Sequence, residues 1–148
     1  MAMLGLGKRK KRILIAEDDA GIRRIIQAML DGKGYEVMAV GDGQAAVEAL
    51  PRFHPDLVML DVMMPKKNGL EICYEIKNDP HTLHLPVLIL TATTQTSQKT
   101  DDYWRVRSRA DDFISKPFKS ADLLARIEKL LADQPDRPDE DAAKRFRI

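Results

Sequence analysis

The chain has 148 residues, of which 44% are hydrophobic and 32% charged, and its net charge is +1 at neutral pH. These values predict one globular domain with short tails, and they exclude a surface whose overall charge attracts nucleic acid. No apolar run approaches the roughly 20 residues that span a bilayer, and the single cysteine, Cys73, excludes an internal disulfide framework and is compatible with a reducing cytoplasm.

Residues 1–11 are predicted to form a basic leader ahead of the domain. Their mildly apolar start precedes the basic run Lys8–Arg12, whereas a secretory signal has the opposite order and a longer apolar stretch. The basic run is compatible with contacts to RNA, DNA or an anionic membrane. We favour the simpler interpretation, a solvated leader.

Apolar runs of strand length alternate with stretches of helical period through residues 12–133, the predicted domain. The predicted strands are Ile13–Ala16, Glu36–Val40, Leu57–Leu60, Val87–Leu90 and Asp112–Ser115. The first predicted helix has its apolar residues at Ile22, Ile25, Ile26, Met29 and Leu30 and ends at Gly32 and Gly34. The second covers Gly43–Leu50 and is broken by Pro51, and the third covers Leu70–Asn78. The fourth has an irregular start and ends near Ser108, and the fifth has apolar residues from Leu123 to Leu131 with Ser120 as its N-cap.

Five successive β-α units predict an α/β fold, because right-handed crossovers force a doubly wound, five-stranded parallel sheet with helices on both faces. The remaining residues, 134–148, form a charged, proline-containing tail that we expect to be disordered. Its end, Lys144–Ile148, is an alternative docking segment for a partner, but a frayed terminus is the simpler interpretation.

Polar side chains follow four of the predicted strands, at the end where each strand finishes. They are Glu17 with Asp18, then Asp61, Thr91 and Lys116. Ligands of open parallel sheets bind outside these strand ends. Each residue alone has a structural explanation: a helix N-cap for Asp61, a strand end for Thr91 and an exposed charge for Lys116. Together they indicate a site, because clustered carboxylates repel one another unless a cation lies among them.

Oxygen ligands at this edge predict a hard divalent cation, Mg²⁺, for which Mn²⁺ is a possible substitute. The expected ligands are Asp18, Asp61, the backbone carbonyl of Met63 and, directly or through water, Glu17. Asp61 is the expected nucleophile toward a phosphoryl group, with Lys116 and Thr91 meeting the charge on that group.

Four sequence blocks carry a resemblance to a known family: ILIAEDDAGIRR, PDLVMLDVMMPKKNGLEIC, LPVLILTAT and DDFISKPF. Over roughly residues 12–132 the chain resembles bacterial response-regulator receiver domains of the chemotaxis type, with a weaker similarity to twitching-motility receivers in KTDDYWRVRSRADDF. The resemblance implies a flavodoxin-like (βα)5 fold with strand order 2-1-3-4-5.

The resemblance also implies a role for each strand-end residue. Glu17 and Asp18 correspond to the acid pair, Asp61 to the phosphoacceptor and Thr91 to the switch hydroxyl. Lys116 corresponds to the phosphate-contacting lysine that precedes a cis peptide to proline, here Pro117. Phe113 corresponds to the aromatic rotamer switch, and the implied donor is a histidine kinase or a phosphotransfer protein.

Some positions depart from the family pattern, and others are expected to affect the rate of dephosphorylation or the binding of a partner. Arg109 stands where the family usually has glycine, and a left-handed backbone there costs on the order of 1 kcal/mol. Met63 and Thr93 border the predicted route of a hydrolytic water, so an apolar Met63 is expected to slow dephosphorylation. Tyr103 and Trp104 are predicted on the fourth helix, where one of them contacts a partner or packs in the core.

Other chemistry-bearing residues are interpreted as structural. His54, His81 and His84 lie in predicted loops without metal-ligand spacing, and we expect them at the surface. Cys73 occupies a core-facing helical position, where a small buried hydrophobe is expected.

The leading functional interpretation is a stand-alone receiver in the cytoplasm, which accepts a phosphoryl group and signals through the surface of the fourth helix, fifth strand and fifth helix. It is expected not to be an enzyme beyond its own phosphoryl transfer and slow dephosphorylation. Because few residues follow the last helix, we expect no DNA-binding domain. Two alternatives stay open: a degenerate receiver acting as an adaptor, and an aspartyl-phosphate phosphatase, although the latter wants a second Asp where Met63 stands.

Overall fold

The computed structural model describes residues 9–92 and 108–134, which form a five-stranded parallel sheet with helices on both faces. The strands are β1 (Arg12–Ala16), β2 (Glu36–Val40), β3 (Leu57–Asp61), β4 (Val87–Ala92) and β5 (Asp112–Lys116). The helices are α1 (Ala20–Gly32), α2 (Gly43–Phe53), α3 (Gly69–Asn78) and α4 (Ser120–Ala132), the last being the helix predicted as the fifth. Within these residues no helix is long and apolar enough to cross a membrane.

The strand order is β2-β1-β3-β4-β5, with every pair parallel, so the predicted fold class and order are confirmed. The central strand β3 is buried along its whole length, and its run of apolar residues packs on both faces of the sheet. One core cluster joins the sheet to α2 and α3, and the other joins it to α1 and α4. The carboxyl ends of all five strands therefore meet at one edge, which leaves that edge for the polar residues.

Three helices begin with a capping side chain in the loop that follows a strand. Asp19, Asp42 and Asn68 each accept a hydrogen bond from the backbone N–H three residues later, at the starts of α1, α2 and α3. The predicted cap of the last helix is wrong: Ser120 is its first helical residue, and the N-cap is Lys119, which makes no capping hydrogen bond through its side chain.

The predicted end of α2 at Leu50 is also wrong, because the helix continues through Pro51 to Phe53. Proline removes one N–H donor near the end of the helix, whereas the Phe53 side chain is buried in the core. The helix stops at His54, whose backbone is left-handed (φ 53°) and whose N–H bonds to the Leu50 carbonyl at 3.2 Å.

Arg9 lies in the predicted leader, but its side chain is bound to the domain. Its guanidinium makes two hydrogen bonds of 2.7 Å to the carboxylate of Asp56, which is 8% exposed. Asp56 also accepts the Arg12 N–H at 2.8 Å. A bidentate pair of this kind is among the stronger charge-assisted contacts. The interpretation of residues 1–11 as a solvated leader is therefore wrong for Arg9.

The residues just before β5 are tied to the end of α3. Arg109 has a left-handed backbone (φ 57°). Its guanidinium donates to the carbonyl of Lys77 and to the side chain of Asn78, and Lys77 in turn pairs with Asp111 at 2.7 Å. These contacts stabilise a conformation that is costly for a residue with a Cβ.

Candidate functional site

The five strand-end residues lie at the same edge of the sheet, as predicted. Ala16 pairs with Leu60 across β1 and β3, so Glu17 and Asp61 directly follow paired residues. Asp61 is level with Leu90 on β4, and Thr91 is the next residue along that strand. Side chains that are distant in the sequence are thereby brought to one edge.

Three carboxylates form a compact acidic cluster at this edge. Glu17, Asp18 and Asp61 each offer one oxygen, and these atoms lie within 4.8 Å of one another. Glu17 is fully buried and Asp61 is 4% exposed, whereas Asp18 faces solvent. Hard oxygen donors with one open side suit Mg²⁺, which keeps several waters. The donor set therefore fits the predicted cation.

Lys116 brings a positive charge to the cluster from the end of β5. Its Nζ lies 2.5 Å from Glu17 Oε1 and 3.2 Å from Asp61 Oδ1. Burial acts to lower the pKa of the ammonium, but the hydrogen bond and the charges of the two carboxylates outweigh it and raise the pKa above its ordinary value. Lys116 therefore stays charged. The following peptide bond, to Pro117, is cis, as predicted.

Asp61 carries the strongest electrostatic perturbation of the site. Burial is the largest cause, and the hydrogen bond to Glu17 and the charge of that residue add to it, so the pKa of the Asp61 carboxyl rises to about 7. The nearby Lys116 offsets only part of this rise. The single positive charge of Lys116 therefore does not balance the negative charges of Asp61 and Glu17, and a bound cation would supply the missing positive charge.

The remaining predicted residues divide into those near this edge and those outside the described residues. Met63, two residues after Asp61, is 71% exposed. Phe113 is half-buried on β5 and packs against the core on the α3 side of the sheet. Thr93, Tyr103 and Trp104 lie outside the described residues, so their predicted roles stay predictions.

The other interpretations drawn from single residues can be compared with the structure. His54, His81 and His84 are exposed, as expected. Cys73 is fully buried, its Sγ donates to the Ser108 carbonyl at 3.2 Å, and burial raises the pKa of its thiol to about 12. The prediction of a small buried side chain at this position is confirmed.

Gly69 also belongs to the site, although the pair Asn68-Gly69 by itself predicts only a loop. An added Cβ at this position would lie 2.3 Å from the backbone oxygen of Asp61, which is far inside van der Waals contact. The Gly69 N–H also bonds to the Val62 carbonyl at 3.1 Å. Gly69 therefore lets α3 begin directly against the backbone of Asp61. The only signal in the sequence is its place in the Asn68-Gly69 pair.

Comparison with known proteins agrees with this geometry. The model of the response regulator receiver domain family matches residues 13–128. Among curated proteins, the DNA-binding response regulator MtrA of Mycobacterium tuberculosis (strain ATCC 25618 / H37Rv) is 37% identical over 131 residues, which are 88% of this chain and 55% of that protein. The probable transcriptional regulator ycf27 of Galdieria sulphuraria is 41% identical over 124 residues, 84% of this chain and 46% of that protein. The chain spans about half the length of these relatives.

Solved structures with the same fold include two receiver domains of histidine kinases. That of Syntrophus aciditrophicus is 33% identical, with a TM-score of 0.76 over 82% of this chain and 90% of that one. That of the sensor histidine kinase PA1611 from Pseudomonas aeruginosa PAO1 is 28% identical, with a TM-score of 0.75 over 84% of this chain and all of that one, and it holds a magnesium ion in its active-site cleft.

Proposed function

The chain belongs to the response regulator receiver domain family, and from this premise we propose that it is a phosphorylation switch whose phosphoryl group is carried on Asp61. The observation that supports the proposal most is the position of Lys116, whose Nζ lies between the buried carboxylates of Glu17 and Asp61. A half-buried lysine that bridges two buried acids, with a third acid on the open side, is arranged to receive a further anionic group together with a cation.

We propose Mg²⁺ as that cation, by analogy with the magnesium in the Pseudomonas aeruginosa receiver. The residues that would hold it are Asp18, Asp61, the backbone carbonyl of Met63 and, directly or through water, Glu17. When bound, it supplies positive charge to the carboxylates and to the oxygens of the incoming phosphoryl group.

The proposed reaction is the transfer of a phosphoryl group from a phosphohistidine of a histidine kinase or phosphotransfer protein. An oxygen of the Asp61 carboxylate attacks phosphorus, the new P–O bond forms, the P–N bond breaks, and the imidazole leaves and takes up a proton. The Lys116 ammonium meets the charge on the phosphoryl oxygens, and the Thr91 hydroxyl donates a hydrogen bond to one of them. The chain's chemistry is then its own phosphorylation and slow dephosphorylation, with no turnover of a separate substrate.

The proposed output is contact with another protein through the surface that includes β5, α4 and the predicted fourth helix. Thr91 and Phe113 would report phosphorylation to this surface, since both lie on the strands next to it. The single unpaired cysteine is in keeping with a cytoplasmic location. The receiver family model matches residues 13–128 and the alignment covers 55% of the longer MtrA relative, so the DNA-binding activity in that protein's name is not part of the proposal.

The test is incubation with acetyl phosphate, with and without Mg²⁺, followed by intact mass measurement. We expect a mass increase of one phosphoryl group that needs Mg²⁺, is absent in Asp61→Asn and persists in Asp31→Asn, an exposed aspartate on α1 that serves as the matched control. No adduct and no Mg²⁺ binding would contradict the proposal and favour the adaptor. Sustained release of phosphate from added phosphoesters would favour the phosphatase.

A further inference from the structure

The turn that contains Glu17 and Asp18 is stabilised by hydrogen bonds from Arg23 to its backbone, and Arg23 has no role in the proposed reaction. Arg23, half-buried on the first turn and a half of α1, donates from Nη1 to the backbone carbonyl of Glu17 at 2.7 Å and approaches that of Asp18 at 3.5 Å. It thus approaches the main chain of both acidic residues, while one carboxylate oxygen of each lies within 4.8 Å of an oxygen of Asp61.

The Glu17 carbonyl needs such a donor because of its location. Glu17 is fully buried, so solvent does not satisfy its backbone oxygen. Its N–H still bonds to the Val40 carbonyl at 3.0 Å, which continues the pairing of β1 with β2 for one residue. Beyond that residue the chain turns into α1, and the Arg23 guanidinium supplies a charge-assisted hydrogen bond at the point where the sheet pairing ends.

The turn between β1 and α1 is further held by contacts that depend on the orientation of Glu17. The Asp19 N–H donates to Glu17 Oε2 at 3.1 Å, while Asp19 caps α1 through Ile22. The other oxygen of the same carboxylate, Oε1, pairs with Lys116. Fixing the Glu17 backbone therefore fixes both ends of its carboxylate, one in the turn and one in the acidic cluster.

Gly41, which follows β2, leaves the space that the guanidinium fills. An added Cβ there would lie 3.0 Å from Arg23 Nη1, which is tighter than ordinary contact, and 3.6 Å from Cζ, which is an ordinary van der Waals distance. The neighbouring Arg24 is exposed and lies on a different face of α1. Arg23 can therefore be disturbed in two ways, by replacing the arginine itself or by adding a Cβ at Gly41. Arg24 provides a control arginine one residue away.

From these contacts we infer that Arg23, seated against Gly41, is a positioning residue that sets the Glu17–Asp18 backbone so that the acid pair converges with Asp61. The inference rests on the proposed function, because it concerns the cation and phosphoryl site of that function. Outer contacts that orient metal ligands commonly change metal affinity by about 10-fold to 100-fold when removed.

The test compares Arg23→Ala, Arg23→Lys and Gly41→Ala with the control Arg24→Ala, in three measurements. The first, on the metal-free protein, is amide hydrogen exchange at Asp19, which we expect to accelerate in Arg23→Ala and Gly41→Ala and to stay at the wild-type rate in Arg24→Ala. The second is Mg²⁺ titration followed by calorimetry, where we expect about tenfold weaker binding in the same two variants. The third is the rate of phosphorylation by acetyl phosphate, which should fall with the Mg²⁺ affinity and recover in part in Arg23→Lys.

The outcomes separate the two claims. If wild type binds Mg²⁺ and is phosphorylated while Arg23→Ala and Gly41→Ala match it in Mg²⁺ affinity, the positioning role is wrong and the proposed function stands. If wild type neither binds Mg²⁺ nor is phosphorylated, the proposed function fails, and unchanged exchange at Asp19 would overturn the positioning role independently. Should Arg23→Ala fail to fold, Gly41→Ala, which keeps the arginine, decides the question in the same way.

Discussion

Met63 lies two residues after Asp61, the proposed phosphoacceptor, and an apolar side chain is not expected beside a hydrolytic site. Its side chain is 71% exposed and apolar, so it offers no hydrogen bond to a water that approaches a phosphoryl group on Asp61. We predict that Met63→Asn and Met63→Glu shorten the phosphoryl lifetime severalfold, because an amide or carboxylate can orient that water. The lifetime is measured by release of phosphate after the donor is removed.

Leu83→Asn is the matched control for the Met63 variants, since Leu83 is also exposed and apolar but precedes β4, at the opposite edge of the sheet. Its lifetime should equal that of wild type. Equal lifetimes in the Met63 variants and wild type would show that this side chain does not govern hydrolysis.

Cys73 gives a prediction about the core that is independent of the phosphoryl chemistry. Burial raises the pKa of its thiol to about 12, from an ordinary value of about 9, so the protonated thiol is favoured in the folded state. We predict that iodoacetamide at pH 8 leaves the native protein unlabelled while the urea-unfolded protein is labelled once. The free energy of unfolding should then decrease as the pH rises from about 9 toward 12, because the unfolded state gives up this proton first.

Labelling is unambiguous here because Cys73 is the single cysteine of the sequence. Rapid labelling of the native protein would mean that the contact between Cys73 Sγ and the Ser108 carbonyl opens readily in solution.

At the level of single residues, the strand-end positions could be predicted from the sequence, whereas the residues behind them could not. Asp61, Thr91 and Lys116 each follow an apolar strand, and parallel strands bring such positions to one edge. The role of Gly69 depends on the close approach of its backbone to that of Asp61. The role of Arg23 depends on the position of the Glu17 carbonyl just after the end of β1. Neither a close approach nor an unpaired carbonyl leaves a pattern in the sequence.

At the level of elements, the link between α3 and β5 offers a test of backbone strain. Arg109 keeps a left-handed backbone while its guanidinium bonds to the end of α3. We predict that Arg109→Ala lowers the free energy of unfolding, because it keeps the strain and loses the bonds. Arg109→Gly should be more stable than Arg109→Ala by about 1 kcal/mol, because glycine removes the strain. Urea unfolding of the three proteins measures both differences.

Only the order of the two variants tests the backbone argument, since both lack the guanidinium. An alanine variant as stable as the glycine variant would mean that the left-handed conformation at residue 109 carries no cost in solution.

Element types could be predicted more securely than their ends. The apolar periodicity located all the described helices and strands, but α2 runs past Pro51 because burial of Phe53 in the core outweighs the loss of one N–H donor. The last helix begins at Ser120, although a serine is a good cap, because the preceding Lys119 has the extended backbone of an N-cap. Tertiary packing decides such ends, and local preference alone does not.

At the level of the whole molecule, the topology could be predicted because few arrangements satisfy five right-handed β-α units around one sheet. The pair between Arg9 and Asp56 joins residues 47 positions apart, at the edge of the sheet opposite the site. Nothing in the local sequence of residues 1–11 distinguishes Arg9 from the lysines around it, so this pairing of the leader with the domain was missed.

The central claim is that the fold presents one carboxylate, that of Asp61, for phosphorylation. Borohydride reduces an aspartyl phosphate to homoserine, which marks the modified position permanently. After treatment with acetyl phosphate and Mg²⁺, then borohydride, peptide mass spectrometry should find homoserine at position 61 and aspartate unchanged at positions 18 and 19. Homoserine at another position, or at none under conditions where the folded protein binds Mg²⁺, would contradict the account.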